Sequence, residues 1–394
     1  MKLLENIVVL DLTQAYSGPF CTMHLADHGA TVIKIERPGI GDQSRQWGPL
    51  KNGYSAYYAF LNRNKKGLSL DITSPEGKKI FMRMVEKADV VCENFRPGVL
   101  EKHGLGYEAL RALNPGIVYA SISGHGQTGP LSKRPAYDLI AQAMSGMMSL
   151  TGYADAPPVR VGPSIGDNYT GTYLALGVCM ALVRRSRTGE GGRIEVAMVD
   201  TLYSALENAV VNYTVKGQAP ERMGNIDPGA APFDAFQASD GMFVLCVGTD
   251  GMWASLCTLM GREELINDPR WDSTSKRVDN YLPDLKQAVM DWTRTKTLAE
   301  LENVLIGAGI PFSTILDVAQ ASEHPQLKGR NMLQEINDPV IGPLRVPGIP
   351  IKVLGESDAI EGPAPTIGQD TDDLLEALGY DAEARKSFRT GKVI

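Results

Sequence analysis

Asp167 stands in SIGDNYTG (164–171), directly behind a glycine and ahead of GTYLALGVCMALV, a run with almost no polar residue. A carboxylate at the start of an apolar helix can do two things. It can cap the helix, because Asp is a common N-cap whose oxygen accepts from free first-turn amides. It can also be a nucleophile. The partial positive charge of the helix end keeps it ionised, and the neighbouring amides can stabilise an oxyanion. A carboxylate held in this way can attack an activated acyl group. Both readings need the same geometry, and the residues alone leave both open.

Cationic and polar side chains recur just after strand-like segments. ERPGIGDQSRQWGP (36–49) carries Arg37 and Arg45, ENFRPG (93–98) carries Asn94 and Arg96, and NRNKKG (62–67) adds two lysines. Ligands of open α/β sheets bind beyond the carboxyl ends of the strands, and arginines there can clamp phosphates or carboxylates. Several such cations suit a ligand with several phosphates. GHGQTG (124–129) has the literal spacing of a dinucleotide loop, but Pro130 and a polar loop follow where a helix must begin. It reads as a tight turn that lets backbone approach a ligand. No P-loop, HExxH or GxSxG occurs. His24 and His28 are four apart, with no third ligand near in sequence, so no metal site is expected.

The elements that must position these residues alternate in the first half. Strands are expected at 6–13, 31–36, 88–95, 116–124 and 192–199. Helices are expected at 17–30, 75–88 and 107–114, near 138–150, from about 166, and over 200–217. Apolar strands in βα alternation predict an α/β fold whose parallel sheet is covered on both faces. The run 171–183 has the length of a buried core helix. Glycine and proline cluster at 218–232, where a domain boundary is expected. A smaller α/β unit follows to about 325, and then a Pro- and Gly-rich tail with short strands and a helix near 370–379. The resulting segments are 1–224, 225–325 and 326–394.

The 394 residues carry a formal net charge of -7, with 43 % hydrophobic and 22 % charged residues. That suits a soluble enzyme, not a nucleic-acid binder. No apolar run approaches the ~20 residues of a membrane helix. Five dispersed cysteines without a CxxC read as reduced thiols in a cytoplasmic protein.

Motif after motif, the chain resembles the family III CoA-transferases, the group of the formyl-CoA and crotonobetainyl-CoA (carnitine) transferases. The resemblance is carried by LDLTQAYSGPFCTMHLADHGATVIKIERPGIGDQSR, NRNKKGLSLDI, ENFRPGVLEKHGLGY, SISGHGQTGP, PAYDLIAQAMSG, IGDNYTG and RTGEGGRIEVAMVD. GDQSRQWGP and NRNKKG look most like the dicarboxylate branch, similar to succinyl-CoA:glutarate transferases. The resemblance implies a Rossmann-like large domain formed by both chain ends, a small inserted domain and an interlocked homodimer. It implies that CoA and acyl-CoA are substrates, with no tightly bound cofactor.

It also implies roles. Asp167 matches the catalytic aspartate that carries anhydride and CoA-thioester intermediates. CoA contacts are expected at Tyr16, Ser17, Arg37, Leu70, Asp71, Ile72, Thr73, Asn94, Phe95, Arg96, Lys102, Pro135, Ala136, Tyr137 and Asp138. Arg96 and Lys102 are the expected phosphate contacts. The place of Arg45 in its loop, rather than the resemblance, makes it the candidate partner for the second carboxylate of a dicarboxylate. The formyl-CoA branch has glutamine where Tyr16 stands, and a glycine run where GNIDPGAAP (224–232) has only two glycines. The rival within the superfamily is an α-methylacyl-CoA racemase, which pairs its aspartate with a histidine. Here PAYD puts Tyr137 at that place, and a phenol is a poor second base near neutral pH. CoA transfer between two carboxyls of one dicarboxylate is the other alternative.

Overall fold

The computed structural model describes residues 2–394. Strands β1 (Val8–Asp11), β2 (Thr31–Glu36), β3 (Lys66–Ser69), β4 (Val90–Glu93), β5 (Val118–Ser123) and β6 (Gly192–Ala197) form one parallel sheet in the order β3-β2-β1-β4-β5-β6. Helices that matter below are α1 (Ser17–Asp27), α2 (Pro75–Val85), α3 (Asp138–Ser145), α4 (Ile165–Thr188) and α5 (Met198–Ser204).

The apolar strands read as doubly covered, and the packing shows why. Successive side chains of a strand point to opposite faces. Val9, Val32, Val90 and Val118 pack with Leu25 of α1, Leu174 and Val178 of α4 and Leu202 of α5. Their neighbours Leu10, Ile33, Val91 and Tyr119 pack on the other face with Ile80, Phe81 and Val85 of α2. Leu375 and Val393, from the end of the chain, join that second cluster.

β3 was hidden in the sequence. Its four residues begin with a lysine, and no strand is expected at NRNKKG. It is held from both sides: Ile35 pairs with Leu68, and the Gly67 N–H donates to Asp370 Oδ2 at 2.7 Å. Just beyond it, the Asp71 N–H donates to the Val393 carbonyl at 2.8 Å.

The chain divides into two compact units, residues 1–147, 160–211 and 325–394 in one, and 148–159 with 212–324 in the other. The second holds an antiparallel sheet of β7 (Phe233–Gln237), β8 (Met242–Cys246) and β9 (Phe312–Thr314) around Trp253, Leu256 and Leu285. The Gly- and Pro-rich stretch 218–232 lies inside this unit. There Gly224 N–H donates to the Gly152 carbonyl at 2.9 Å.

α4 departs from the expected core helix. Thr170, Gly171, Leu174, Val178 and Ala181 are buried. Tyr169, Tyr173, Leu176, Met180 and Val183 form an exposed stripe along the opposite side. One face packs on α1 and the sheet, and the other has no cover among the described residues. No helix is long and apolar enough to cross a membrane among the described residues.

Candidate active site

The strand order reverses direction between β1 and β4, and the crevice beyond those strand ends is where doubly wound sheets take ligands. The two loops that leave there are zipped together. The Gln14 N–H donates to Asn94 Oδ1 at 2.8 Å, and Asn94 Nδ2 donates to the Gln14 carbonyl at 2.7 Å. The first loop passes through Ala15 at φ 68°, whose N–H donates to Asp42 Oδ1 at 3.1 Å. The chain then enters α1 at Ser17.

Below this loop lies a buried charged layer. Lys34 Nζ meets Asp42 Oδ2 at 2.8 Å and donates to the Thr13 carbonyl. Lys65 Nζ lies 3.0 Å from Asp11 Oδ2, 2.8 Å from Thr22 Oγ1 and 2.9 Å from Asn62 Oδ1. Burial holds the Lys65 ammonium below the usual lysine range although Asp11 pulls it upward. Asp11 stays below the usual carboxylate range; burial opposes this, and Lys65 and Lys34 outweigh it. Lys65 is therefore a structural cation, not one free for a phosphate as NRNKKG suggested.

Asp167 is the third residue of α4, inside the first turn, so the capping reading is corrected. Ser164 occupies the N-cap position without a side-chain bond. The cap comes from another helix: Asp138 Oδ1 accepts from the Gly166 N–H at 2.8 Å. A Cβ at 166 would lie 2.9 Å from that oxygen, so a larger residue there would push the capping carboxylate aside. Asp138 is 6 % exposed, and its other oxygen accepts from Gln142 Nε2 at 2.7 Å.

The expectation that the helix end keeps Asp167 ionised is also corrected. Burial, and secondly the nearby Asp138, push its pKa up to about 7; hydrogen bonds from the Ser17 hydroxyl and backbone N–H act against this shift. No cation is among the causes. The result is a carboxylate more basic than an ordinary one. Gly171 allows the approach of α1, since a Cβ there would stand 2.6 Å from the Ser17 carbonyl oxygen.

Asp167 lines a cavity of about 490 Å³ together with Tyr16, Ser17, Asn94, Phe95, Arg96, Pro135, Ala136, Tyr137 and Asp138. Ten of the expected site residues thus meet in one place. Tyr16 Oη donates to Asn168 Oδ1 at 2.6 Å. Burial, with the charge of Asp167, pushes the Tyr16 phenol up to about 12. Tyr16 and Tyr57 rings lie 5.6 Å apart and Tyr57 and Trp47 rings 5.7 Å, which makes an aromatic wall. Glu93, under the Asn94–Arg96 loop, accepts from the Phe95 N–H at 2.8 Å, and burial pushes it up to about 8. Gly124 of GHGQTG also lines the cavity.

The remaining expected contacts lie outside that lining. Leu70 is 2 % exposed with its side chain in the core, which is a correction for any side-chain contact there. Asp71 Oδ1 accepts from the Thr73 N–H and hydroxyl. These bonds, and to a lesser degree Arg37, hold its carboxyl below the usual range. Ile72 packs partly against the core, and Arg37 and Lys102 are exposed.

Arg45 is a plain correction. Its Nε and Nη2 meet the Glu36 carboxylate at 2.8 and 2.6 Å, Nη2 also meets Tyr58 Oη at 2.6 Å, and the guanidinium carbon sits 3.7 Å from the Tyr58 ring centre. It has no free donor face for a substrate.

His24 Nδ1 is buried with no partner, burial pushes the ring down to about 4, and the described residues hold no cluster suited to a metal. Sequence reasoning missed Trp47, Tyr57, Arg134 and Arg160. Trp47 lay in a loop already identified as facing the site. Tyr57, Arg134 and Arg160 had no local signal.

The site is a half-buried carboxylate of raised pKa facing a cleft at the sheet's switch point, and the chain is similar to known proteins. The acetyl-CoA:oxalate CoA-transferase of Acetobacter aceti is 43 % identical over 360 residues, 91 % of each chain. The succinyl-CoA:glutarate CoA-transferase of Mus musculus is 36 % identical over 396 residues, 100 % of this chain and 91 % of that one. The crystal structure of a CAIB/BAIF family protein from Brucella suis superposes with a TM-score of 0.82 at 36 % identity, covering 96 % of this chain and 99 % of that one. The family model "CoA-transferase family III" matches residues 4–371, and the chain belongs to that family of enzymes.

Proposed function

We propose that this enzyme moves CoA from a small acyl-CoA, such as succinyl-CoA, to a free dicarboxylic acid through covalent intermediates on Asp167. The observation that carries this is the Asp167 carboxylate itself: half-buried on the wall of the cavity, raised to about 7, and hydrogen-bonded only by Ser17 among the causes of its shift. A carboxylate that is ionised yet poorly stabilised is a strong nucleophile.

An Asp167 oxygen attacks the thioester carbonyl carbon, and the C–S bond breaks to release CoA thiolate. The mixed anhydride that remains is attacked by the thiolate at the aspartyl carbonyl carbon, and the donor acid leaves as its carboxylate. The acceptor carboxylate then attacks the aspartyl-CoA thioester, giving a second anhydride and thiolate. Attack of the thiolate on the acceptor's carbonyl carbon yields the new acyl-CoA and restores Asp167. No proton or electron is gained or lost overall. The Ser17 N–H and hydroxyl stand where negative charge returns to Asp167 at each collapse. We assign the expected CoA contacts to the residues that share the cavity, with Arg96 at the phosphates. Leu70 can contribute there only through its backbone.

The test is mass spectrometry of enzyme incubated with succinyl-CoA and a panel of acids, then treated with hydroxylamine. Label on the peptide holding Asp167, with a new acyl-CoA in solution, is the expected result. Failure to trap any adduct, with solvent deuterium entering the α-carbon of a branched acyl-CoA, would replace this reading by racemisation. The cavity's phenols speak against that outcome, since Tyr16 at about 12 is a poor base at neutral pH. A dicarboxylate mono-thioester supplied alone distinguishes transfer within one molecule from transfer between two.

We further infer a homodimer. Besides the exposed stripe of α4, Leu139, Ile140 and Met144 of α3 are about half exposed. An apolar area of this extent on a soluble chain marks an interaction surface. Sedimentation equilibrium should give twice the chain mass; a monomer at micromolar concentration would refute it. We place the enzyme in the cytoplasm, where its five free cysteines stay reduced; fractionation of its source cells checks this.

A further inference from the structure

With Arg45 locked onto Glu36, three guanidinium groups remain on the cavity wall: Arg96, Arg134 and Arg160. None of them is ion-paired with a carboxylate among the described residues. Unlike Arg45, they are free to meet an anion. They differ in how they are held.

Arg96 lies on the loop leaving β4, at the crevice between β1 and β4, where phosphates of a nucleotide-like ligand sit. Arg134 ends a polar loop whose nearest backbone tie is to Leu131, at 2.8 Å. Arg160 is tied to the nucleophile. The N–H of its neighbour Val161 donates to Gln142 Oε1 at 2.9 Å. Gln142 Nε2 donates to Asp138 Oδ2 at 2.7 Å, and Asp138 Oδ1 holds the Gly166 N–H at 2.8 Å. Gln142 is fully buried and Asp138 nearly so. This relay fixes the backbone at 160–161 against the turn that carries Asp167, while the Arg160 guanidinium stays exposed at the cavity.

We propose that Arg160 receives the distal carboxylate of the acid whose other carboxylate reacts at Asp167, and so sets a preference for dicarboxylates. The proposal rests on the CoA-transferase reading above. Its physical basis is a shared cavity wall and a fixed backbone. A dicarboxylate reacting at one end must place a second charge a few bonds away. A planar guanidinium fork on a backbone held relative to the nucleophile offers two parallel donors there. Asp167, with no cation of its own, gains no stabilisation that would blunt its reactivity.

The experiment compares acids of equal length, glutarate against valerate, with acetyl-CoA as donor so that no second carboxylate comes with it. Arg160→Gln is expected to lower the glutarate-to-valerate ratio of kcat/KM about 10²-fold, since a charged group loses its charged partner. Arg160→Lys should lower the ratio less. Arg134→Gln should leave the ratio unchanged while raising KM for the CoA donor. An unchanged ratio in Arg160→Gln, or a drop that appears in Arg134→Gln instead, would overturn the proposal. If Arg160→Gln does not fold, Arg160→Met decides, because it too removes the charge and an unaltered ratio there has the same meaning. If the parent enzyme passes CoA to neither acid from acetyl-CoA or succinyl-CoA, the reading of the function fails, and this proposal with it.

Discussion

Asp167→Asn is expected to abolish CoA transfer, with kcat/KM reduced on the order of 10⁴-fold, as when a covalent nucleophile is removed. It is also expected to make the protein more stable in mild alkali. The two effects share a cause. Burial and Asp138 raise the Asp167 carboxyl to about 7 in the folded chain, whereas an unfolded aspartate titrates near 4. Folding therefore favours the protonated form. That contribution is fully present below about pH 4 and is lost as pH rises through about 7. Asparagine has no such loss. Solvent in the cavity reaches part of the carboxylate, so we expect the variant to gain about 2 kcal/mol over the parent at pH 8, well under the full shift. The gain should vanish near pH 4. Thermal unfolding of both proteins from pH 4 to 8 measures it; equal stability across that range would show that Asp167 is not held in its neutral form. The parent's kcat/KM should rise with pH along a limb centred near 7, because only the ionised carboxylate attacks.

Lys65→Met should destabilise the first unit by about 3 to 5 kcal/mol, the usual cost of stranding one partner of a buried ion pair. Asp11 and Lys65 are both fully out of solvent. Removal of the ammonium leaves Asp11 with Thr13, Thr22 and the more distant Lys34, and Asn62 and Thr22 lose their shared partner. The surface pair Lys79–Glu76, 2.7 Å apart with both side chains at least half exposed, is the control. Lys79→Ala should change stability by less than about 1 kcal/mol. Calorimetry of the two variants compares them. A Lys65→Met transition within a degree or two of the parent would mean that the buried layer is not what holds the loop leading to Ser17.

The sheet was legible because doubly covered parallel strands must be apolar on both faces, as β1, β2, β4 and β5 are, while β6 shows the simpler alternation of a strand with one polar face. β3 escaped because an edge strand of four residues that starts with lysine lacks that signature. Its stabilising partners, Asp370 and Val393, are about 300 residues away in sequence. Asp167 was legible as a residue but not as a geometry. Sequence left open that it capped its own helix, yet the cap comes from Asp138, 28 residues before Gly166. Nothing local in PAYD announces that bond. The error over Arg45 has the same origin. A loop arginine looks available until Glu36, Tyr54 and Tyr58 are seen to enclose it. Contacts between neighbours in sequence can be read from pattern, whereas the charge state and freedom of a side chain depend on groups brought from afar.

The bond from Asp71 to Val393 has a consequence for biosynthesis. The two residues are separated by 322 positions (71 to 393). At translation speeds of roughly 5 to 20 residues per second, the ribosome takes on the order of 15 to 60 seconds to supply the second after the first. Throughout that interval the nascent chain exposes an unfinished sheet edge beside its charged layer. An edge of that kind can pair with other chains, so the growing polypeptide depends on being kept apart from its neighbours until Val393 emerges.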